Sequence, residues 1–105
     1  MGCIYLLSEW SKNDLYYKIG VTKGNLDKRI KTLQTGNPNE IVLVKSYQTT
    51  NCFKVEKFLH RTFAEYRMEG EWFELSDEQV ESFLYEAEKA DKNIDLLLEQ
   101  NPFYK

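Results

Sequence analysis

Two short apolar and aromatic runs, residues 3–7 and 16–21, flank a polar segment at 11–14 that carries turn-forming Ser, Asn and Asp. Runs of this length, rich in Ile, Val and Tyr and separated by turn chemistry, fold as an antiparallel hairpin, here with a longish connection. An isolated hairpin is marginal in water, so the rest of the chain must supply what covers it. At 105 residues the chain is one domain's worth and buries roughly two thirds of the surface it exposes unfolded.

The covering elements can be read in order. Asn25, after Gly24, is placed to cap a helix whose Leu26, Ile30 and Leu33 fall on one stripe. Gly36 suits the residue just past its end, and Asn37-Pro38 forbids continuation. Residues 41–47 form a third strand, apolar on both faces at its start as a central strand would be. Thr50 or Asn51 caps a second helix running to about Tyr66, with the stripe Cys52, Val55, Leu59 and Phe63, broadened by Phe58 and Ala64. Residues 71–75 make a short apolar insert against the sheet edge. Ser76 and Gln79 form a capping box opening a helix with Val80, Phe83, Leu84 and Ala87 at helical spacing. A break is expected near Lys92-Asn93, then a last amphipathic helix over 94–98, ending at Asn101-Pro102. The order β-β-α-β-α followed by helices gives an α+β fold: a small three-stranded sheet flanked by helices, with extra C-terminal helices. Residues 1–75 make the core domain, and 76–105 an acidic helical extension packed on the same domain.

Composition removes several classes of function. No apolar run approaches a membrane span, and the four-residue stretch 4–7 is followed by Glu9, unlike a signal peptide. Two cysteines and one histidine cannot build a disulfide framework or a structural zinc site. The expected setting is cytoplasmic, or nuclear in a eukaryotic host, without membrane association.

The net charge of −3 conceals an asymmetry. Residues 1–67 hold eleven Lys/Arg against six Asp/Glu, whereas 68–105 hold three against eleven. Either this is surface imbalance, or a basic body faces a polyanion and the acidic part does something else. Lys12, Lys23, Lys28, Lys31 and Lys45 are the candidates for phosphate contacts that position without reading sequence.

Alternation along the hairpin brings chemistry together. If Ile4, Leu6, Ile19 and Val21 share one face of the sheet, Tyr5 and Lys18 share the other. Gly20 and Gly24 leave room nearby for a phosphate. Arg29 borders the first helix's apolar stripe, so its stem packs while its head reaches over the sheet. Glu56 and His60, at i and i+4, lie beside the second helix's stripe, where burial calls for a partner charge or a metal. Each also has an ordinary reading: a half-buried strand tyrosine, a solvated lysine, an arginine paired with an acid, an i,i+4 surface pair. Tyr16, Tyr17 and Tyr47 stand between packing and stacking on nucleic acid, and Cys3 and Cys52 read as buried, inert thiols.

Several segments carry a family likeness. Cys3-Ile4-Tyr5 followed by Lys18-Ile19-Gly20, with Arg29 and Glu56 on the two helices, resembles the core of the GIY-YIG nuclease superfamily. More closely, Tyr17-Lys18-Ile19-Gly20-Val21-Thr22, Leu33-Gln34-Thr35-Gly36-Asn37-Pro38, Leu59-His60 with Phe63, and Gly70-Glu71-Trp72-Phe73 resemble the GIY-YIG-like DNA-binding branch of phages and bacteria. The resemblance covers residues 3–75. It implies metal-dependent hydrolysis of DNA phosphodiester bonds, with Mg²⁺ or Mn²⁺ held by Glu56. Arg29 would bind phosphate oxygens, and Tyr5 would act as general base. Lys18 would stand where most members have a second tyrosine, and His60 where the branch has a helix histidine. Cys3 departs from the first motif's glycine, and the asparagine that many members carry after the metal helix has no obvious match. Two non-catalytic readings stand beside it, a DNA-binding module and a protein-interaction factor on a degenerate nuclease fold. The acidic C-terminal helices would then serve a homodimer or a protein partner.

Overall fold

The computed structural model describes residues 1–70 and 72–100. Four strands, β1 (Gly2–Ser11), β2 (Asp14–Thr22), β3 (Ile41–Thr49) and β4 (Trp72–Phe73), form one antiparallel sheet in the order β3-β1-β2-β4. Three α-helices accompany it: α1 (Leu26–Gln34), α2 (Cys52–Thr62) and α3 (Asp77–Gln100), with a 3₁₀ turn over Ala64–Tyr66. The α+β class and the helix-flanked sheet are as the sequence implies.

Several details differ. The sheet has four strands rather than three, because Trp72 and Phe73 pair with Lys18 and Tyr17 as a short edge strand. The hairpin connection is short. Pairing runs through to Ser11 and Asp14, leaving only Lys12 and Asn13 as the turn, at φ 52° and 70°. Two successive positive φ values match the right-handed twist of the strands, and Asn tolerates that conformation well. β3 is an edge strand and not a central one, with Val42 and Leu43 exposed. Finally, α3 is one continuous helix through Lys92-Asn93, since neither residue there breaks a helix and Lys92 pairs with Glu88 one turn back at 2.9 Å. The expected stop at Asn101-Pro102 lies outside the described residues. Ala64, expected to broaden the α2 stripe, is exposed in the 3₁₀ turn.

β1 is the centre of the molecule, and its residues 2–7 are buried without interruption. Its two faces feed two clusters. On one side Tyr5 and Leu7 join Ile41 beneath Leu26, Ile30 and Leu33 of α1. On the other, Ile4, Leu6 and Ile19 pack against Val55 and Leu59 of α2 and Val80, Phe83, Ala87 and Ala90 of α3. Burying one such large side chain is worth about 1.5–3 kcal/mol.

Local chemistry fixes the helix ends as the sequence suggests. The Asn25 side chain accepts from Lys28 N at 3.0 Å. Ser76 and Gln79 cap each other reciprocally, at 3.2 and 2.7 Å. Gly36 follows α1 at φ +79°. The Gln34 carboxamide then clamps the turn: its oxygen accepts from Ile41 N at 2.8 Å and its nitrogen donates to the Asn39 carbonyl at 2.8 Å. Asn51 precedes α2 but makes no side-chain cap. Its amide instead donates to Asp91 and Asp95 of α3, each at 2.8 Å. The Tyr47 hydroxyl donates to Asp91 at 2.9 Å, so this network pins α3 to β3 and to the start of α2.

That network makes stability depend on pH at both extremes. Burial raises the Tyr47 phenol to about 12, helped by Asp91 accepting its proton. Burial alone would also raise Asp91, but hydrogen bonds from Asn51, Thr49 and Tyr47 outweigh it and hold the carboxyl below its ordinary value. The unfolded chain therefore releases the Tyr47 proton near pH ~10 while the folded chain keeps it, so stability falls as pH climbs from there toward 12. The unfolded chain takes up the Asp91 proton near ~4 before the folded chain does, so stability also falls as pH drops below that point. Urea titrations across pH should show both losses. Tyr47→Phe should remove the alkaline loss and also weaken the acid one, since its hydroxyl is one of the donors that hold Asp91 down, and Asp91→Ala should cost about 1–3 kcal/mol at neutral pH by orphaning its donors.

Candidate active site

The Tyr5 phenol is held by its neighbours on the sheet. Tyr5 pairs with Gly20, and a Cβ added at Gly20 would collide with the Tyr5 ring and hydroxyl. Gly20 is thus a seat for the ring, and only glycine leaves that space. The hydroxyl accepts a hydrogen bond from Arg29 Nε of α1 at 3.4 Å, a long but directed contact. Arg29 is half-buried on α1, one residue before Ile30 of its apolar stripe. The ring itself is almost wholly enclosed, with 1% of Tyr5 exposed.

Lys18 lies on the same face as Tyr5, opposite Leu7 and two residues from Gly20. Among its contacts is the Trp72 ring of β4, whose centroid is 5.7 Å from Nζ. The alternation read from the sequence is therefore the one the register shows. Lys18 and Trp72 form a cation–π pair across the β2–β4 edge.

His60 and Glu56 approach β2 from the other face. His60 Nε2 is 3.0 Å from the Ile19 carbonyl oxygen, and its ring stands edge-on to Phe73 with centroids 5.1 Å apart. A carbonyl only accepts, so Nε2 carries hydrogen and donates it. That nitrogen is committed to holding β2 and is not available to take a proton or bind a metal. Glu56, half-buried, lines an open pocket of about 400 Å³ with Lys57, His60 and Arg61. Residues 18–20 of β2 thus lie between two sets of candidate residues: Tyr5, Arg29 and Lys18 on the α1 face, and Glu56 and His60 on the α2 face. Among the described residues, no three His, Cys, Asp or Glu side chains gather as a preformed metal cage.

The expected phosphate-contacting lysines do not share one surface. Lys28 and Lys31 are exposed on α1, and Lys12 is at the hairpin tip. Lys45 faces α3, where its Nζ lies 3.8 Å from Glu81. Lys23 lies over the Phe53 ring of α2, 5.4 Å from its centroid. Of the tyrosines with open roles, Tyr17 is core and Tyr47 is bonded to Asp91. Tyr16 lines a pocket with Trp72 and Met68. Cys3 and Cys52 are buried free thiols. Sequence reading missed Gly20 as the seat of Tyr5. The signal was present, since in an antiparallel pair a glycine opposite an aromatic residue marks a place where the ring crosses the strand.

The seat gives a direct test. Gly20→Ala should destabilise the protein by about 1–3 kcal/mol by overpacking the Tyr5 ring. In thermal melts the same change in a Tyr5→Ala background should cost much less, the signature of a coupled pair in a double-mutant cycle.

A family model described as the T5orf172 domain matches residues 2–88. Uncharacterized protein 460R of Invertebrate iridescent virus 6 is 29% identical over 100 residues, covering 92% of this chain and 44% of that protein. The chain therefore spans less than half the length of that curated relative. No solved structure matches the chain.

Proposed function

Since the chain belongs to the T5orf172 domain family, a nuclease-associated type of domain, we propose that it is a DNA-acting, metal-dependent endonuclease of the GIY-YIG type. The observation that carries this reading is the Tyr5–Arg29 hydrogen bond seated over Gly20. It supports a site in which a phenol and a guanidinium meet one phosphate.

In this reading Arg29 holds the non-bridging oxygens of the scissile phosphate through its planar fork. Tyr5 orients the attacking water and passes on its proton. Lys18, steadied by Trp72, balances phosphate charge from the same face. Glu56 is the carboxylate that would hold Mg²⁺ or Mn²⁺. A single acid beside an open pocket suits an ion that keeps most of its shell as water and substrate oxygen. Such an ion supplies Lewis acidity and a sink for the charge developing at phosphorus. His60 is a positioning residue, since its Nε2 is spent on the Ile19 carbonyl.

The second reading is a DNA-binding domain without turnover. The near-complete enclosure of Tyr5 favours it, because a phenol that orients an attacking water needs water access and Tyr5 is 1% exposed.

Supercoiled plasmid incubated with Mg²⁺ or Mn²⁺ separates the two. Wild type is expected to nick, EDTA to stop it, and Glu56→Gln or Arg29→Ala to lower the rate on the order of 100-fold or more with folding intact. Nicking at the wild-type rate in Glu56→Gln would remove the metal assignment. Salt-sensitive binding without nicking under either metal would leave the second reading.

A further inference from the structure

The surface of α2 carries a row of cations not accounted for by the site. Lys54, Lys57 and Arg61 fall at i, i+3 and i+7, one side of the helix, and all three are exposed. Lys57 and Arg61 line the same open pocket as Glu56 and His60. The row is held in place by aromatic rings: the Arg61 guanidinium lies 5.9 Å from the Phe58 centroid. Lys23, reaching in from the β2–α1 connection over Phe53, extends the row past the start of α2. Phe53 is itself half exposed, at 52%.

We propose that this face of α2, Lys54, Lys57 and Arg61 with Lys23, is the track on which the phosphate backbone of duplex DNA lies against the Glu56–His60 pocket. The proposal rests on the DNA reading above and names the surface that reading uses. Seven residues of helix advance about 10 Å. Phosphates along one strand of a duplex succeed each other every ~3.4 Å of axis, so the row matches about three of them.

The alternative cations are worse placed. Lys28 and Lys31 are exposed on the outer side of α1, away from the row and from the Glu56–His60 pocket. Lys45 is drawn to Glu81. α3, with its excess of acids, packs beside α2 and repels a polyanion from that side. The duplex is thereby confined to the flank of α2 that bears the row and the pocket.

The test is the salt dependence of binding to a duplex of ~20 base pairs by fluorescence anisotropy, in EDTA so that no cleavage occurs. The slope of log K against log salt should fall by about 2 to 3 in the Lys54→Gln, Lys57→Gln, Arg61→Gln variant, with affinity at low salt reduced on the order of 10- to 100-fold. Lys28→Gln, Lys31→Gln should leave both near wild type. The Lys54→Gln, Lys57→Gln pair keeps the Arg61–Phe58 contact and should lose about two thirds of the effect, so a folding defect is separable. If the α1 variant loses the slope while the α2 variant keeps it, the track is wrong and the DNA reading survives. Absence of binding by the wild type at low salt overturns both.

Discussion

The pairing of Tyr5 with Gly20 is the contact on which the rest of the candidate site depends. β1 is buried on both faces, so its residues cannot be rearranged without disturbing two cores at once. Within that strand one face must hold a ring as large as tyrosine next to a neighbouring strand less than ~5 Å away. Gly20 makes the room. Once the ring is seated, its hydroxyl has one position, and Arg29 meets it from α1. A phenol on a mobile loop would lose rotamer entropy each time it acted, whereas this one is fixed in advance by packing.

Much of this arrangement was legible because local rules and global packing agreed. The period-2 pattern of the hairpin placed Tyr5 and Lys18 on one face. Asn25, Gly36, Ser76 and Gln79 marked helix ends by capping chemistry that depends on a few neighbouring residues. Where the reading failed, the deciding fact was not local. Ile41, Val42, Leu43 and Val44 look like a central strand because they are apolar, yet strand order is set by topology across the whole sheet. β2 occupies one side of β1 through the tight hairpin, and β3 takes the other and becomes the edge. Asn51 has the right chemistry for a cap, but Asp91 and Asp95 compete for its amide from forty residues away. The length of α3, by contrast, was misread for a local reason, since Lys92 and Asn93 resemble a boundary but neither breaks a helix and Lys92 pairs with Glu88 one turn back. In the site, the spacing of Glu56 and His60 indicated a shared helix face. It could not indicate that a backbone carbonyl of β2 would take up the imidazole.

Several motif segments turn out to be scaffold around β2. The Gln34 side chain holds the turn between α1 and β3, donating to the Asn37 and Asn39 carbonyls and accepting from Ile41 N. Trp72 and Phe73 flank β2 on its open side, one ring against Lys18 and the other against His60. Cys3 is buried in β1 with its Sγ near the Ile4 carbonyl, so a thiol fits where the resemblance has glycine. A change at that position alters packing near the strand's start, two residues from the phenol.

Charge follows the same division. The acids of the C-terminal third are not a loose tail. Asp91 is consumed in joining α3 to Tyr47 and Asn51, Asp95 also binds Asn51, and Glu81 answers Lys45. What remains on α3 faces away from the sheet as a negative surface, and what remains basic lies on α1 and the outer side of α2. On the face proposed for DNA, the acidic α3 beside the basic row of α2 would orient a polyanion before contact. The helix that carries Glu56 and the proposed track is also the element tied to β2 through His60. Displacement of α2 by a bound backbone would therefore be felt first at Ile19, between Lys18 and the seat of Tyr5.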